Sequence, residues 1–110
     1  MSEHFYAKDA VFSGIGKFAE VKGDLLGSFG EFNSKVFEAG ALTEKTKELI
    51  AVGCAHITRC PYCIDAHTRK AKAAGATDEE IAEAIMVGVA MAAGAAMAHS
   101  SVAMKALEES

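Results

Sequence analysis

The sequence has a single proline and no tryptophan, and it lacks any run in which β-branched and aromatic residues alternate with polar ones between turn residues. Such alternation is the usual sign of a half-buried strand, so its absence argues against a sheet. The glycines fall mainly near the ends of apolar segments or among other small residues. Together these absences predict an all-α protein.

An excess of positive charge and a secretory leader are also absent. The net charge is -4, and the 11 Lys and Arg residues are spread along the chain without forming a basic stripe. This argues against nucleic acid as a partner. The first ten residues include Glu3, Lys8 and Asp9 and hold no apolar run of the kind that a signal peptide needs. We expect a cytoplasmic protein.

Apolar periodicity predicts one helical domain over residues 1–110. Helices are expected at residues 8–20, 24–39, 43–57, 60–75 and 77–99, and residues 100–107 either extend the last helix or form another. The first of them is expected to be short or uneven, because two glycines interrupt it.

The expected helix ends carry recognisable capping residues. Gly40 and Gly75 are placed as C-terminal stops, and Thr43 is placed as an N-cap. Thr77 and Glu80 form a capping box, in which each side chain satisfies a backbone amide of the other residue.

Residues 84–104 contain no charged side chain and are long enough to span a bilayer. Their content is mostly Ala, Gly, Ser and Met, and small residues recur every four positions at Ala84, Gly88, Ala92 and Ala96. Such a face lets helices approach closely. We therefore predict a buried helix of a homo-oligomer rather than a membrane span.

The residues best suited to chemistry are Cys60 and Cys63, with His67 one helical turn further on. Pro61 favours the first helical position, which makes Cys60 the N-cap. Both sulfurs then lie near unpaired N–H groups and the positive end of the helix dipole, where thiolates are stabilised. His67 shares a face with Cys63 and is suited to take its proton, and Glu48 on the preceding helix is suited to orient His67.

Other interpretations of this pair stay open. Cys60, Cys63 and His67 are also three zinc ligands, with His56 or Glu48 as a fourth. The cysteines also fit a purely structural role, with Glu48 as a solvated helix carboxylate. The tetrapeptide from Cys60 to Cys63 is shared with glutaredoxins, but the strands and second proline of that fold are missing here. The third cysteine, Cys54, is expected to be a buried structural thiol.

The spacing from Glu48 through Cys60, Cys63 and His67, followed by the pattern of residues 74–81, resembles the AhpD-like alkylhydroperoxidases of the carboxymuconolactone decarboxylase superfamily. The resemblance covers about residues 37–98. It implies a single-repeat, all-α domain that assembles as an oligomer, with a trimer or hexamer expected.

The resemblance also implies roles. Cys63 would be the peroxidatic thiolate, Cys60 would resolve it as a disulfide, and His67 with Glu48 would form the proton relay. No metal or other cofactor is implied beyond that disulfide. The partners would be a hydroperoxide and a dithiol reductant, such as a lipoyl group on another protein. The family has a histidine where Tyr62 stands, so Tyr62 or His56 is the expected accessory residue.

Three other functions are compatible with the same residues. One is a dithiol–disulfide oxidoreductase without peroxidase activity. The others are a decarboxylase-like enzyme of the superfamily and a non-catalytic oligomeric protein.

Overall fold

A computed structural model of the protein describes residues 8–110, and within that range it contains four α-helices and no strand. The helices are α1 (Lys8–Phe37), α2 (Glu44–Thr58), α3 (Pro61–Ala73) and α4 (Asp78–Glu109). The predicted all-α class is confirmed over the part of the chain that the structure describes.

Helix α1 joins the two N-terminal helices predicted from the sequence. Lys22 has non-helical backbone angles (φ -149°, ψ 58°) and kinks the helix between its two halves. The two predicted segments therefore differ in direction, but no loop separates them.

The C-terminal end of α1 differs from the prediction that Gly40 stops it. The helix ends at Phe37, and Gly40 does not take the left-handed conformation that makes glycine useful at a C-terminus. Instead, a side chain from α2 donates hydrogen bonds to the carbonyl groups at the end of α1. The Nζ atom of Lys47 donates to the carbonyl oxygens of Val36 (2.8 Å) and Glu38 (2.6 Å).

Helices α2 and α3 are connected by a reversal of only two residues, Arg59 and Cys60. Arg59 adopts the left-handed conformation (φ 60°), and its N–H donates to the carbonyl of Ala55. The N–H of Cys60 donates to the same carbonyl (3.2 Å). Because Pro61 then begins α3 with its ring at the first helical position, the chain turns sharply and Cys60 becomes the N-cap.

The connection from α3 to α4 follows the sequence signals closely. Gly75 has φ 99°, and the N–H of Ala76 donates to the carbonyl of Ala71 (2.9 Å), as in a Schellman motif. The capping box that begins α4 is complete: Glu80 N–H donates to Thr77 Oγ1 (3.0 Å), and Thr77 N–H donates to Glu80 Oε1 (2.9 Å).

The core lies where α2 contacts α3 and α4. Its buried members are Val52, Ala71, Ala76 and Ile81, with Leu49 and Ile85 packed against them. Helices α2 and α4 cross with their backbones in contact, because a Cβ on Gly88 would lie 2.7 Å from the carbonyl oxygen of Gly53. Gly88 and Ala84 belong to the face of small residues that the sequence indicated, and both lie against Gly53 of α2.

Much of the apolar surface of α1 and α4 is exposed among residues 8–110. The exposed apolar side chains of α1 are Phe12, Ile15, Phe18, Val21, Leu25, Phe29, Phe32 and Val36. The radius of gyration is 18.2 Å, whereas a compact chain of this length has about 13 Å. In length and composition α4 is able to cross a membrane, and only 11% of its apolar stretch is buried in the subunit. The predicted burial of this helix is therefore not observed among residues 8–110.

Candidate active site

The residues selected from the sequence lie on the α2–α3 hairpin. Glu48 is in the second turn of α2, and Cys60, Cys63 and His67 occupy the cap and the first two turns of α3. Because the reversal between the helices is so short, Glu48 and His67 face each other across the hairpin. The structure thus brings the expected carboxylate and imidazole together.

Glu48 and His67 form a close hydrogen bond, with 2.6 Å between Glu48 Oε1 and His67 Nδ1. The two side chains are only 10% and 16% exposed, so water screens the pair weakly. When Glu48 is ionised and His67 is neutral, the carboxylate only accepts, so Nδ1 carries the proton and Nε2 keeps its lone pair. The pair is therefore a base whose tautomer is fixed by a carboxylate, as in a catalytic triad.

The two cysteines are free thiols at the start of α3. The sulfur of Cys60 accepts a hydrogen bond from the backbone N–H of Cys63 (3.3 Å), which is the N-cap interaction expected from the position of Pro61. The Cys63 side chain also hydrogen-bonds to the Cys60 sulfur, and the backbone N–H of Tyr62 contributes a further bond. Cys60 is the sulfur on which the donors converge.

These contacts separate the acidities of the two thiols. The Cys63 side chain, together with the backbone N–H groups of Cys63 and Tyr62, lowers the pKa of Cys60 despite some burial. Burial, the hydrogen bond to Cys60 and the charge on that neighbour raise the pKa of Cys63 to about 11. The expectation that both sulfurs favour thiolate is thus wrong for Cys63, because its burial and the neighbouring Cys60 sulfur both disfavour its charged form.

The two accessory candidates take different positions. His56 Nδ1 donates to the carbonyl of Val52 (2.7 Å), one turn earlier in α2, and this bond orients its ring along its own helix. Tyr62 is 39% exposed and acts on Cys60 through its backbone amide. The structure therefore adds the Tyr62 main chain to the thiol site and gives His56 a local partner.

Phe37 is a site residue that the sequence did not indicate. Its ring stacks on the imidazole of His67, with 5.0 Å between ring centroids and 22° between the planes. Phe37 is also among the residues that line a cavity of about 420 Å³, together with Asn33, Glu44, Glu48 and Lys70. Its apolar periodicity predicted only a helix position, and nothing in the spacing connected it to a histidine thirty residues later.

Cys54 departs from its expected buried environment. It is exposed in the subunit and lines an apolar groove of about 310 Å³ between α2 and α4, with Ile50, Ile57, Val87 and Met91 among its neighbours. The small residues around it do allow close packing, but no other part of residues 8–110 lines or covers this groove.

A zinc site requires at least three ligands within reach of one point. Over residues 8–110, no group of three or more His, Cys, Asp and Glu side chains has that arrangement. The donor set of Cys60, Cys63 and His67, with His56 or Glu48 as a fourth, does not converge. Its members instead form two hydrogen-bonded pairs and a separate histidine.

Comparison with known proteins identifies the family to which this all-helical chain belongs. Residues 23–109 match the model of the carboxymuconolactone decarboxylase family. The chain belongs to that family.

Two relatives match this chain over different lengths. The chain is 43% identical over 95 residues to "Uncharacterized protein 4 in cox locus" of Paracoccus denitrificans, which covers 86% of both chains. It is 47% identical over 55 residues to an alkyl hydroperoxide reductase of Mycobacterium tuberculosis. That match covers 50% of this chain but only 15% of the relative.

Among solved structures, a carboxymuconolactone decarboxylase family protein from Legionella pneumophila has the same fold. It superposes with a TM-score of 0.72 at 32% sequence identity, over 92% of this chain and 90% of that one.

Proposed function

We propose that this protein is a thiol-dependent peroxidase that reduces hydroperoxides through Cys60 and Cys63, with His67 and Glu48 as the proton relay. The observation that carries the proposal is the 2.6 Å Glu48–His67 bond beside a pair of free thiols at a helix start. The family and the partial similarity to an alkyl hydroperoxide reductase support it.

The difference in acidity between the thiols fits a division of labour. Cys63 has a pKa of about 11 and keeps its proton at neutral pH, so it needs a base to become a nucleophile. The free Nε2 of His67 is that base, acting directly or through one water, and Glu48 stabilises the imidazolium that forms.

In the first step, the Cys63 thiolate attacks the outer oxygen of the hydroperoxide and breaks the O–O bond. Cys63 becomes a sulfenic acid, and the leaving alkoxide takes the proton from His67 and departs as an alcohol. The Cys60 thiolate then attacks the Cys63 sulfur, hydroxide leaves and is protonated to water, and a disulfide forms. A dithiol reductant returns both thiols and is itself oxidised to a disulfide.

Peroxide consumption with dihydrolipoamide as the reductant tests this proposal. We expect cumene hydroperoxide to be consumed faster than in the uncatalysed reaction, and Cys63→Ser to abolish the difference. Cys60→Ser should leave a sulfenic acid on Cys63 that dimedone traps and mass spectrometry locates. Cys54→Ser is the matched control and should keep the activity. A wild-type rate equal to the uncatalysed rate would reject the peroxidase.

A dithiol–disulfide oxidoreductase is the second candidate, and the lowered pKa of Cys60 favours it. A thiolate at the N-cap of a helix is the usual attacking group in disulfide exchange. Reduction of a protein disulfide by the reduced protein, with no consumption of peroxide, would select this function instead. In either case a reducing compartment, for which we propose the cytoplasm, keeps the thiols available.

We further propose that the working form is a homo-oligomer, a trimer or hexamer, in which α1 and α4 cover each other's apolar faces. The large exposed apolar surface of these helices and the extended shape of the single chain support this. Oligomerisation also accounts for α4 without a membrane, since its stretch of Ala, Gly and Ser is suited to helix contacts. Light scattering of detergent-free protein at the mass of a monomer would reject the oligomer.

A further inference from the structure

We infer that Phe37, held in place by Lys47, is a positioning residue that sets the plane of the His67 ring. This inference rests on the proposed role of His67 as the base for Cys63. Phe37 touches neither thiol among the contacts of the described residues, so it would act only through the histidine.

The hydrogen bond from Glu48 does not by itself fix the plane of the His67 ring. The bond holds Nδ1, but small coupled changes in the χ1 and χ2 angles of His67, followed by the carboxylate, still tilt the ring. Turning moves Nε2, the atom that accepts the proton. The face of Phe37 lies nearly parallel to the imidazole at 5.0 Å, which is within the range of an offset stack, and it removes this freedom.

Phe37 is held in place by contacts at the end of α1. It is the last residue of α1, which packs only lightly against α2, and helix ends fray when their carbonyl groups lack partners. Lys47 Nζ donates to the carbonyls on both sides of Phe37, those of Val36 and Glu38, at 2.8 and 2.6 Å. The Lys47 residue is half-buried, and the two hydrogen bonds themselves lie at the surface.

The two supports of His67 therefore come from neighbouring positions on α2. Glu48 holds the edge of the imidazole directly, and Lys47 holds its face through the end of α1. Since consecutive helix residues point about 100° apart, one short segment reaches both α3 and α1. Loss of an aromatic stack corresponds to a rate effect of about two- to tenfold if the ring then samples unproductive orientations.

The central experiment compares Phe37→Leu with Phe37→Tyr. In single-turnover oxidation by cumene hydroperoxide, we expect Phe37→Leu to slow thiol oxidation about two- to tenfold and Phe37→Tyr to restore it, because only tyrosine keeps the stack. Lys47→Met should slow oxidation in the same direction by a smaller factor. Phe29→Leu, on an exposed face of the same helix, is the matched control and should leave the rate unchanged.

Two further measurements separate positioning from a general structural effect. In a His67→Gln background, Phe37→Leu should cause no additional slowing, and an equal slowing in both backgrounds would overturn the inference. By NMR, the ring protons of His67 should be shifted upfield in the wild type and in Phe37→Tyr, and should lose that shift in Phe37→Leu. An unchanged shift in Phe37→Leu would also overturn it.

The NMR result does not depend on peroxide. If the wild type fails to consume hydroperoxide, the proposed function is rejected, while the ring-proton shifts still decide whether Phe37 and Lys47 hold the histidine. If Phe37→Leu does not fold, Lys47→Met and Phe37→Tyr decide between the same two outcomes.

Discussion

Replacing Glu48 with glutamine removes one negative charge while keeping the size of a side chain that is almost fully buried. In the native protein its carboxylate accepts the Nδ1 proton of His67 at 2.6 Å. The amide of glutamine still accepts this hydrogen bond but no longer balances a positive imidazole. The variant therefore tests the charge of the pair separately from its shape.

The size of the effect follows from the kind of bond that is lost. Hydrogen bonds to charged groups contribute about 1.5–3 kcal/mol and neutral ones about 0.5–1.5 kcal/mol, so the difference is about 1–1.5 kcal/mol. This corresponds to about a five- to tenfold slower step when the imidazolium forms in the transition state. A flipped amide that presents its NH₂ to Nδ1 selects the wrong tautomer of His67 and slows the step further.

Stopped-flow single-turnover oxidation of the reduced protein measures this step without the reductant. Glu44→Gln is the matched control, because Glu44 lies one turn earlier on α2, at the same cavity, but is exposed. It should keep the native rate. Thermal unfolding establishes that both variants fold. A Glu48→Gln protein that folds and oxidises at the native rate would refute the relay, and an equal loss in Glu44→Gln would attribute the effect to general charge near the cavity.

Three further predictions concern acidity and packing. Between pH 6 and 9 iodoacetamide should label Cys60 before Cys63, because the pKa of Cys60 is lowered and that of Cys63 is raised. Peptide mass spectrometry that found Cys63 labelled first would contradict this. Gly88→Ala should lower the melting temperature, because its Cβ would lie 2.7 Å from a backbone oxygen of α2, whereas Gly94→Ala, with nothing within 4 Å, should not. Thr77→Ala should cost about 1 kcal/mol of unfolding free energy in urea titrations, because it removes the N-cap of α4; no change would mean that the cap does not stabilise the helix.

The features that the sequence predicted well depend on residues close together in the chain. Pro61 placed Cys60 at the helix cap, and Gly75 with the Thr77–Glu80 box placed the turn before α4. In each case the physical cause is an unpaired backbone group within one turn of the residue that satisfies it. These features therefore depend on the local sequence and not on contacts between helices.

The features that the sequence did not predict depend on contacts between separate helices or on a shared proton. The end of α1 is set by Lys47, which comes after the helix, so Gly40 was the wrong indication. The raised pKa of Cys63 depends first on its burial and then on the sulfur of its neighbour Cys60. Cys54 has the small, apolar neighbours that are typical of a core residue, but those neighbours line a groove that no other part of residues 8–110 covers.

The two-residue reversal at Arg59 and Cys60 has a consequence for how the site forms. The carboxylate, the imidazole and both thiols all lie between positions 48 and 67, so their contacts are local and close only a short loop. Contacts of this kind form early when a chain folds. The Glu48–His67 pair and the two thiols can therefore come together from the α2–α3 hairpin alone, before the end of α1 brings Phe37 against the imidazole.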